Sequence, residues 1–267
     1  MKFGKLTRPV KRAFFAMSYY NRRYPQIFKW VFNSKEDANF TYDLTEGNIL
    51  YLAQTLAVVT GEDHRKIERY IHEARNHAPL REHIIRESMK SVFRKVADPR
   101  ADYGKRLGWY AMARIMKPKV LVETGVDKGH GSAILCAALL ENKKEGYEGR
   151  YYGTDINPAA GALLGGEFAT MGEILYGDSI ESLKKLNQPI DLFINDSDHS
   201  AEYEYREYLT IKDMMAPGGI ILGDNSHVTD KLAVFSAETN RNFLFFREEP
   251  RDHWYPGGGI GISFPKK

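Results

Sequence analysis

The chain predicts an α/β fold: a doubly wound, mainly parallel sheet preceded by a helical extension. Three observations carry this. Up to about Arg94 apolar residues recur at spacings of three and four. After Gly104 short β-branched or aromatic runs alternate with helical segments, the mark of βαβ units. The last two such runs are joined by a Pro/Gly-rich loop, which predicts an antiparallel edge hairpin. The expected division is 1–102, a basic arm with a helical lid or oligomerisation region, and 103–267, the α/β domain.

The first 35 residues hold nine basic side chains (Lys2, Lys5, Arg8, Lys11, Arg12, Arg22, Arg23, Lys29, Lys35) and no acidic one, interleaved with Phe14, Phe15, Tyr19, Tyr20, Phe28 and Trp30. A solvated helical arm or oligomer contact is the plain reading. A peripheral membrane contact and, behind it, nucleic acid are the alternatives. Residues 1–100 carry 19 Lys+Arg against 11 Asp+Glu, whereas the rest of the chain is acidic on balance. From Leu44 to Arg94 three or four helices are expected. Thr60-Gly61-Glu62-Asp63 stops one helix and caps the next, and Asp98-Pro99-Arg100 closes the segment.

Seven strands are expected: Val120 to Glu123, Arg150 to Asp155, Glu173 to Tyr176, Asp191 to Asn195, Ile220 to Gly223, Phe243 to Arg247 and Gly259 to Phe264, each of the first five followed by a helix. Composition agrees with a packed globule, at 267 residues, 43% hydrophobic and 27% charged, and speaks against disordered, collagen-like and coiled-coil classes. No apolar run reaches about 18 residues. The single cysteine, Cys136, has no partner for an internal disulfide, so a cytoplasmic protein is expected.

At the tip of the first strand, Glu123-Thr124 runs into Gly125-Val-Asp-Lys-Gly129-His-Gly131-Ser132, and a helix follows at once. Small residues here allow a tight turn and let a ligand approach the helix N-terminus. The second strand ends on Asp155, which suits two ribose hydroxyls or, alternatively, caps a helix starting near Pro158. The third ends at Gly177-Asp178-Ser179, where Asp178 stands beside the adenine end of such a ligand or caps its own helix. The fourth delivers Asn195-Asp196-Ser197-Asp198-His199 and the fifth Gly223-Asp224-Asn225-Ser226-His227 to the same sheet edge. Paired carboxylates and an amide suit a hard cation such as Mg²⁺. Capping and ordinary turns are the structural alternatives for both segments. His130, His227 and His253 sit on expected rim loops.

These motifs, from Glu123 through the glycine loop, Asp155 and Gly177-Asp178, resemble the successive motifs of class I S-adenosylmethionine-dependent methyltransferases over about residues 105 to 267. The resemblance implies a Rossmann-like sheet of order 3-2-1-4-5-7-6 with strand 7 antiparallel. It implies a cofactor site made by Glu123, Thr124, Gly125, Gly129, Gly131, Ser132, Asp155, Asp178 and Asp196, with Glu123 and the glycine loop facing the methionine part. Asp196-Ser-Asp198-His199 and Pro217-Gly-Gly-Ile-Ile-Leu-Gly-Asp224-Asn225 are similar to metal-dependent O-methyltransferases of the macrocin and aminocoumarin sugar type. By that resemblance Asp198, Asp224 and Asn225 are metal ligands for Mg²⁺ or another divalent cation, Asp196 and His199 are candidate general bases, and His227 stands behind them. The implied enzyme methylates a hydroxyl of a small molecule, a sugar or glycoside; separately, a homo-oligomer without a nucleic-acid partner is expected. A metal-independent methyltransferase on another acceptor, and a non-catalytic cofactor-binding module recruited by the basic arm, are the alternatives. Aromatics at Tyr103 to Tyr110 and Trp254-Tyr255 are expected either to wall an acceptor or to pack the junction, and the loop from Arg251 to Gly259 to close over substrate.

Overall fold

The computed structural model describes residues 3–19 (side chains from 7 onward), 21, 23–37, 41–224 and 226–266. A seven-stranded sheet of order β3-β2-β1-β4-β5-β7-β6 forms its centre: β1 Val120–Thr124, β2 Arg150–Asp155, β3 Gly172–Tyr176, β4 Ile190–Asn195, β5 Met215–Asp224, β6 Arg241–Arg247 and β7 Gly259–Pro265. The first five strands are parallel, and β7 runs antiparallel to both β5 and β6. The expected order and hairpin are those observed.

Alternation along the strands assigns side chains to two cores. Leu121, Leu192, Ile194, Ile220 and Leu222 face one side, and Val120, Val122, Phe193 and Ile221 the other. On the first side pack α3 Glu46–Thr60, α4 His64–Arg75, α5 Ala78–Lys90, α6 Arg106–Met116 and α7 His130–Lys144. The buried Leu52, Ile67, Ile71 and Leu80 join Leu107, Trp109 and Ile260 in one cluster, so the core runs unbroken past residue 102. The second side is covered by α8 Ser179–Leu183, α9 Ala201–Ile211 and α10 Lys231–Glu238. Ahead of this body stand α1 Phe3–Phe14, a π-helical turn at Phe15–Tyr19 and α2 Arg23–Asn33.

Helix boundaries follow the expected capping chemistry. Gly61 ends α3 at φ 79°, where a side chain would be strained, and Asp63 caps α4 by accepting from the Arg65 amide at 2.9 Å. Two expectations are corrected. No α-helix follows β2: turns and a 3₁₀ segment at Phe168–Met171 fill the crossover, with Asn157, Pro158 and Gly161 in its turns. And β5 begins at Met215, five residues early, because Ile190 pairs with Met215 across a register shift that absorbs Pro217 and the glycines.

The loop between β6 and β7 is pinned, not loose. Arg251 and Arg75 both reach the Asp43 carboxylate, at 2.6 and 2.7 Å. Asn48 exchanges bonds with the Arg247 carbonyl and the Glu249 amide, and Tyr42 donates to Glu248 at 2.7 Å. His253 is buried against the Tyr42 ring, and Tyr103, Trp109 and Tyr110 are core residues. These aromatics pack the junction.

Candidate active site

The carboxyl ends of β1 to β5 converge on one edge. A cleft of about 460 Å³ there is lined by Gly125, Asp127, Thr154, Asp155, Gly177, Asp178, Ser179, Asp196 to Asp198 and Tyr203. Its floor is backbone. The Gly125 amide donates to Thr154 O at 2.9 Å, and the Asp196 amide to Thr124 O at 2.9 Å. Gly125 has φ 78°, and a Cβ there would run into the Asp196 carbonyl, so the turn and the strand tip beside it exist in this form because residue 125 is glycine. Gly129, φ 97°, precedes α7, and a Cβ on Gly131 would collide with the Glu123 carboxylate.

Asp155 takes the Asp127 amide on one oxygen and the Asn157 amide on the other, both at 2.8 Å. It ties the glycine loop to the β2 tip and leaves lone pairs toward the cleft that it lines. Asp178 caps α8 by accepting from the Glu181 amide at 3.0 Å and receives Tyr203 Oη at 2.9 Å. The Glu181 amide, the larger influence, and the Tyr203 hydroxyl hold its pKa down. Asp178 thus caps its helix and lines the cleft.

Glu123 and Ser132 are used differently from what the methyltransferase resemblance implies. Both are buried behind the loop: Ser132 Oγ donates to Glu123 at 3.1 Å, and Tyr151 Oη bonds to both. Burial raises the Glu123 carboxyl to about 7. Thr124 is buried too, its hydroxyl directed at Glu207. These three residues shape the loop from beneath.

Beside the cleft, Asp196, His199 and Asp224 bring ligand atoms within 4.8 Å of one another. His199 Nε2 lies 3.7 Å from Asp196 Oδ1. Burial and then the Asp224 charge push Asp196 well above the carboxylate range. Burial is the largest influence on Asp224 and pushes it the same way, but Lys105, the neighbouring Asp196 and Arg106 together outweigh it and hold Asp224 low. Lys105 Nζ is 2.7 and 2.8 Å from the two Asp224 oxygens, both side chains being buried. Arg106, next along, feels Asp196, Asp224 and Glu123 and stays protonated despite burial.

Asp198 stands outside this cluster. It is exposed, and its carboxylate accepts from the Ser200 amide at 2.8 Å at the start of α9. The end of β4 at Asn195 explains the exchange: Asp196, directly after the strand, turns into the edge, and two residues later the chain is already turning toward α9. Asn225 lies outside the described residues. His227 is exposed, and His130 is pushed down to about 3, chiefly by burial, so it is neutral at the α7 N-terminus.

The sequence reading missed Lys105, Arg106, Tyr203 and Glu207. Glu207, fully buried on α9, accepts from Ser197 Oγ at 2.6 Å and from Ser179, Asn195 and, at 3.4 Å, Thr124. It thus ties β1, β4 and α8 below the cleft. The available signal was an acid in the α9 stripe Glu204, Glu207, Tyr208 and Ile211, whose other members are buried.

Residues 122–226 match a family described as "Methyltransferase domain". None of the curated proteins matches the sequence. Among solved structures the fold is similar to a putative O-methyltransferase from Klebsiella pneumoniae, at 13% identity and TM-score 0.51 over 71% of this chain and 90% of that one. It is also similar to the O-methyltransferase TomG from Streptomyces achromogenes, a tomaymycin-synthesis protein solved with S-adenosylmethionine, at 13% identity and TM-score 0.50 over 81% of this chain and 96% of that one. Strand order and structural likeness define a Rossmann-like α/β fold with a helical front part, of which residues 122–226 carry the match to the methyltransferase-domain family.

Proposed function

We propose that this protein is an S-adenosylmethionine-dependent O-methyltransferase acting on a hydroxyl of a small molecule. One observation carries the reading: Asp196 belongs both to the cleft wall and to the Asp196–His199–Asp224 cluster, so a nucleoside-sized cleft opens directly onto acid–base groups. Asp155 and Asp178 mark one end of the cleft and this cluster the other. The preference for a sugar or glycoside rests on the motif resemblance of the β4 and β5 tips.

S-adenosylmethionine, when bound, supplies an electrophilic methyl on a sulfonium. The residues do the rest. Asp155 binds ribose hydroxyls with its spare lone pairs, and Gly125 lets the ligand lie on the backbone. In the metal-independent case the acceptor hydroxyl approaches at the cluster, His199 takes its proton as the oxygen attacks the methyl carbon, the carbon–sulfur bond breaks to release S-adenosylhomocysteine, and the ionised Asp224 nearby offsets the imidazolium charge.

A divalent cation, Mg²⁺ in the first instance, suits the donor set in kind: two carboxylates and an imidazole. Asp196, Asp224 and His199 would hold it, where it would lower the pKa of the acceptor hydroxyl. A second reading, metal-independent transfer, is favoured by Lys105, which already supplies a cation to both Asp224 oxygens.

The test is transfer of labelled methyl from S-adenosylmethionine to a panel of glycosides and phenols, run with Mg²⁺ and after EDTA treatment. Turnover abolished by EDTA and restored by Mg²⁺ supports the metal-dependent reading. Turnover indifferent to EDTA sinks it in favour of Lys105. No transfer to any hydroxyl, with transfer to an amine, overturns the O-methyltransferase assignment.

A further inference from the structure

From the exposed apolar face of the N-terminal arm, we infer that α1 and α2 lie on an anionic lipid surface. In α2, Trp30 turns inward and stacks on Trp254 at 4.6 Å between ring centroids, fastening the helix to the body. Ile27, Phe28, Val31 and Phe32, spaced at three and four residues, are exposed; Phe28 is 63% and Phe32 78% accessible. In α1 and the turn after it, Val10, Phe14 and Met17 repeat the pattern at spacings of four and three. Large apolar side chains left exposed along both helices call for a covering partner.

The charges identify the partner. Arg8, Lys11, Arg12 and Lys29 are exposed on the same two helices, and no acidic residue occurs in the first 35. A second copy of the chain would bring another wholly basic arm against this one, so the interface would be self-repelling. Nucleic acid would satisfy the charges and leave the aliphatic face in water. A bilayer bearing anionic headgroups satisfies both, with the apolar face at the acyl boundary and the basic side chains among the phosphates. No helix among the described residues is long and apolar enough to cross a membrane, so the contact is in the plane of the surface.

Sedimentation of the full chain with phosphatidylcholine vesicles, with and without 30% phosphatidylglycerol, tests this at low and high salt. The expected result is partitioning onto the anionic vesicles at least tenfold stronger than onto neutral ones, weakened by salt. The double variant Phe28→Asp with Phe32→Asp should lose that preference about tenfold while its affinity for S-adenosylhomocysteine stays that of the parent, which separates loss of the surface from loss of the fold. Equal partitioning onto both vesicle types, or an unchanged double variant, overturns the proposal. So does light scattering that shows a dimer converted to monomers by the same double variant, since the face would then belong to a second copy.

Discussion

At the scale of single residues, Lys105 decides how the site is charged. Its ammonium meets both oxygens of a buried carboxylate 119 positions away in sequence, and removing one partner of such a pair leaves a charge uncompensated. Lys105→Met is therefore expected to destabilise the protein by about 3 kcal/mol and to lower methyl transfer at least tenfold; denaturant unfolding and turnover check it, and an unaltered midpoint would return Lys105 to a spectator role. Gly125→Ala places a methyl against the Asp196 carbonyl in a left-handed conformation. It should cost about 1–3 kcal/mol and abolish cofactor binding, and calorimetry detecting parental affinity would contradict that.

Residue-scale legibility was uneven for a physical reason. Glycines and strand-tip acids sit in local patterns, so Gly125, Asp155, Asp178, Asp196 and Asp224 could be picked out from neighbours in sequence. Which of Asp196 and Asp198 turns inward depends on where β4 ends and α9 begins, a matter of one or two residues. Lys105 and Arg106 have no local mark at all, since their meaning comes from an acid on a strand far along the chain.

At the scale of elements, the Glu207 network holds β1, β4 and α8 together under the cleft. Burial raises the Glu207 carboxyl to about 7, against a value near 4.5 when unfolded, and its hydroxyl and amide donors only partly offset this. The folded state thus binds the proton more tightly. Its stabilising contribution is complete below about pH 4.5 and is lost as pH rises through 7. Glu123, raised to about 7 by burial, adds a slope of the same sign. Glu207→Gln should flatten the fall in stability between pH 5 and 7, as read by thermal melts across that range; an unchanged slope would show that Glu207 does not titrate there.

The strands and their order were legible because β-branched runs and tip motifs repeat with the period of the fold, and the capping at Thr60 to Asp63 was written in side chains that act within one turn. The missing helix after β2 was not: Asp155 before Asn157-Pro158 reads as a cap, but its two oxygens are taken by the Asp127 and Asn157 amides, which closes a turn instead. Nor was the fixed β6–β7 loop, whose glycines suggest mobility until Asp43, Asn48 and Tyr42 arrive from the front of the chain.

At the scale of the whole molecule, helices α3 to α5 share one core with the sheet. Arg114 on α6 bonds to Glu73 on α4 at 2.7 Å and to Glu145 at 2.5 Å, just past the end of α7, and Tyr110 donates to Glu73 at 2.6 Å. A charge that is nearly all buried, shared among three elements, couples the helical extension to the sheet. Removal of residues 1–102 should therefore leave an insoluble or molten product, and a folded, cofactor-binding remnant would show that the two parts are separable.

The central claim is that the cleft between Gly125 and Asp178 holds S-adenosylmethionine with Asp155 on its ribose. Calorimetric titration with S-adenosylhomocysteine, of the parent and of Asp155→Ala, tests it most directly. The account predicts one site per chain in the parent and an affinity at least tenfold weaker in the variant; absence of binding to the parent, or equal affinity in both, would contradict it.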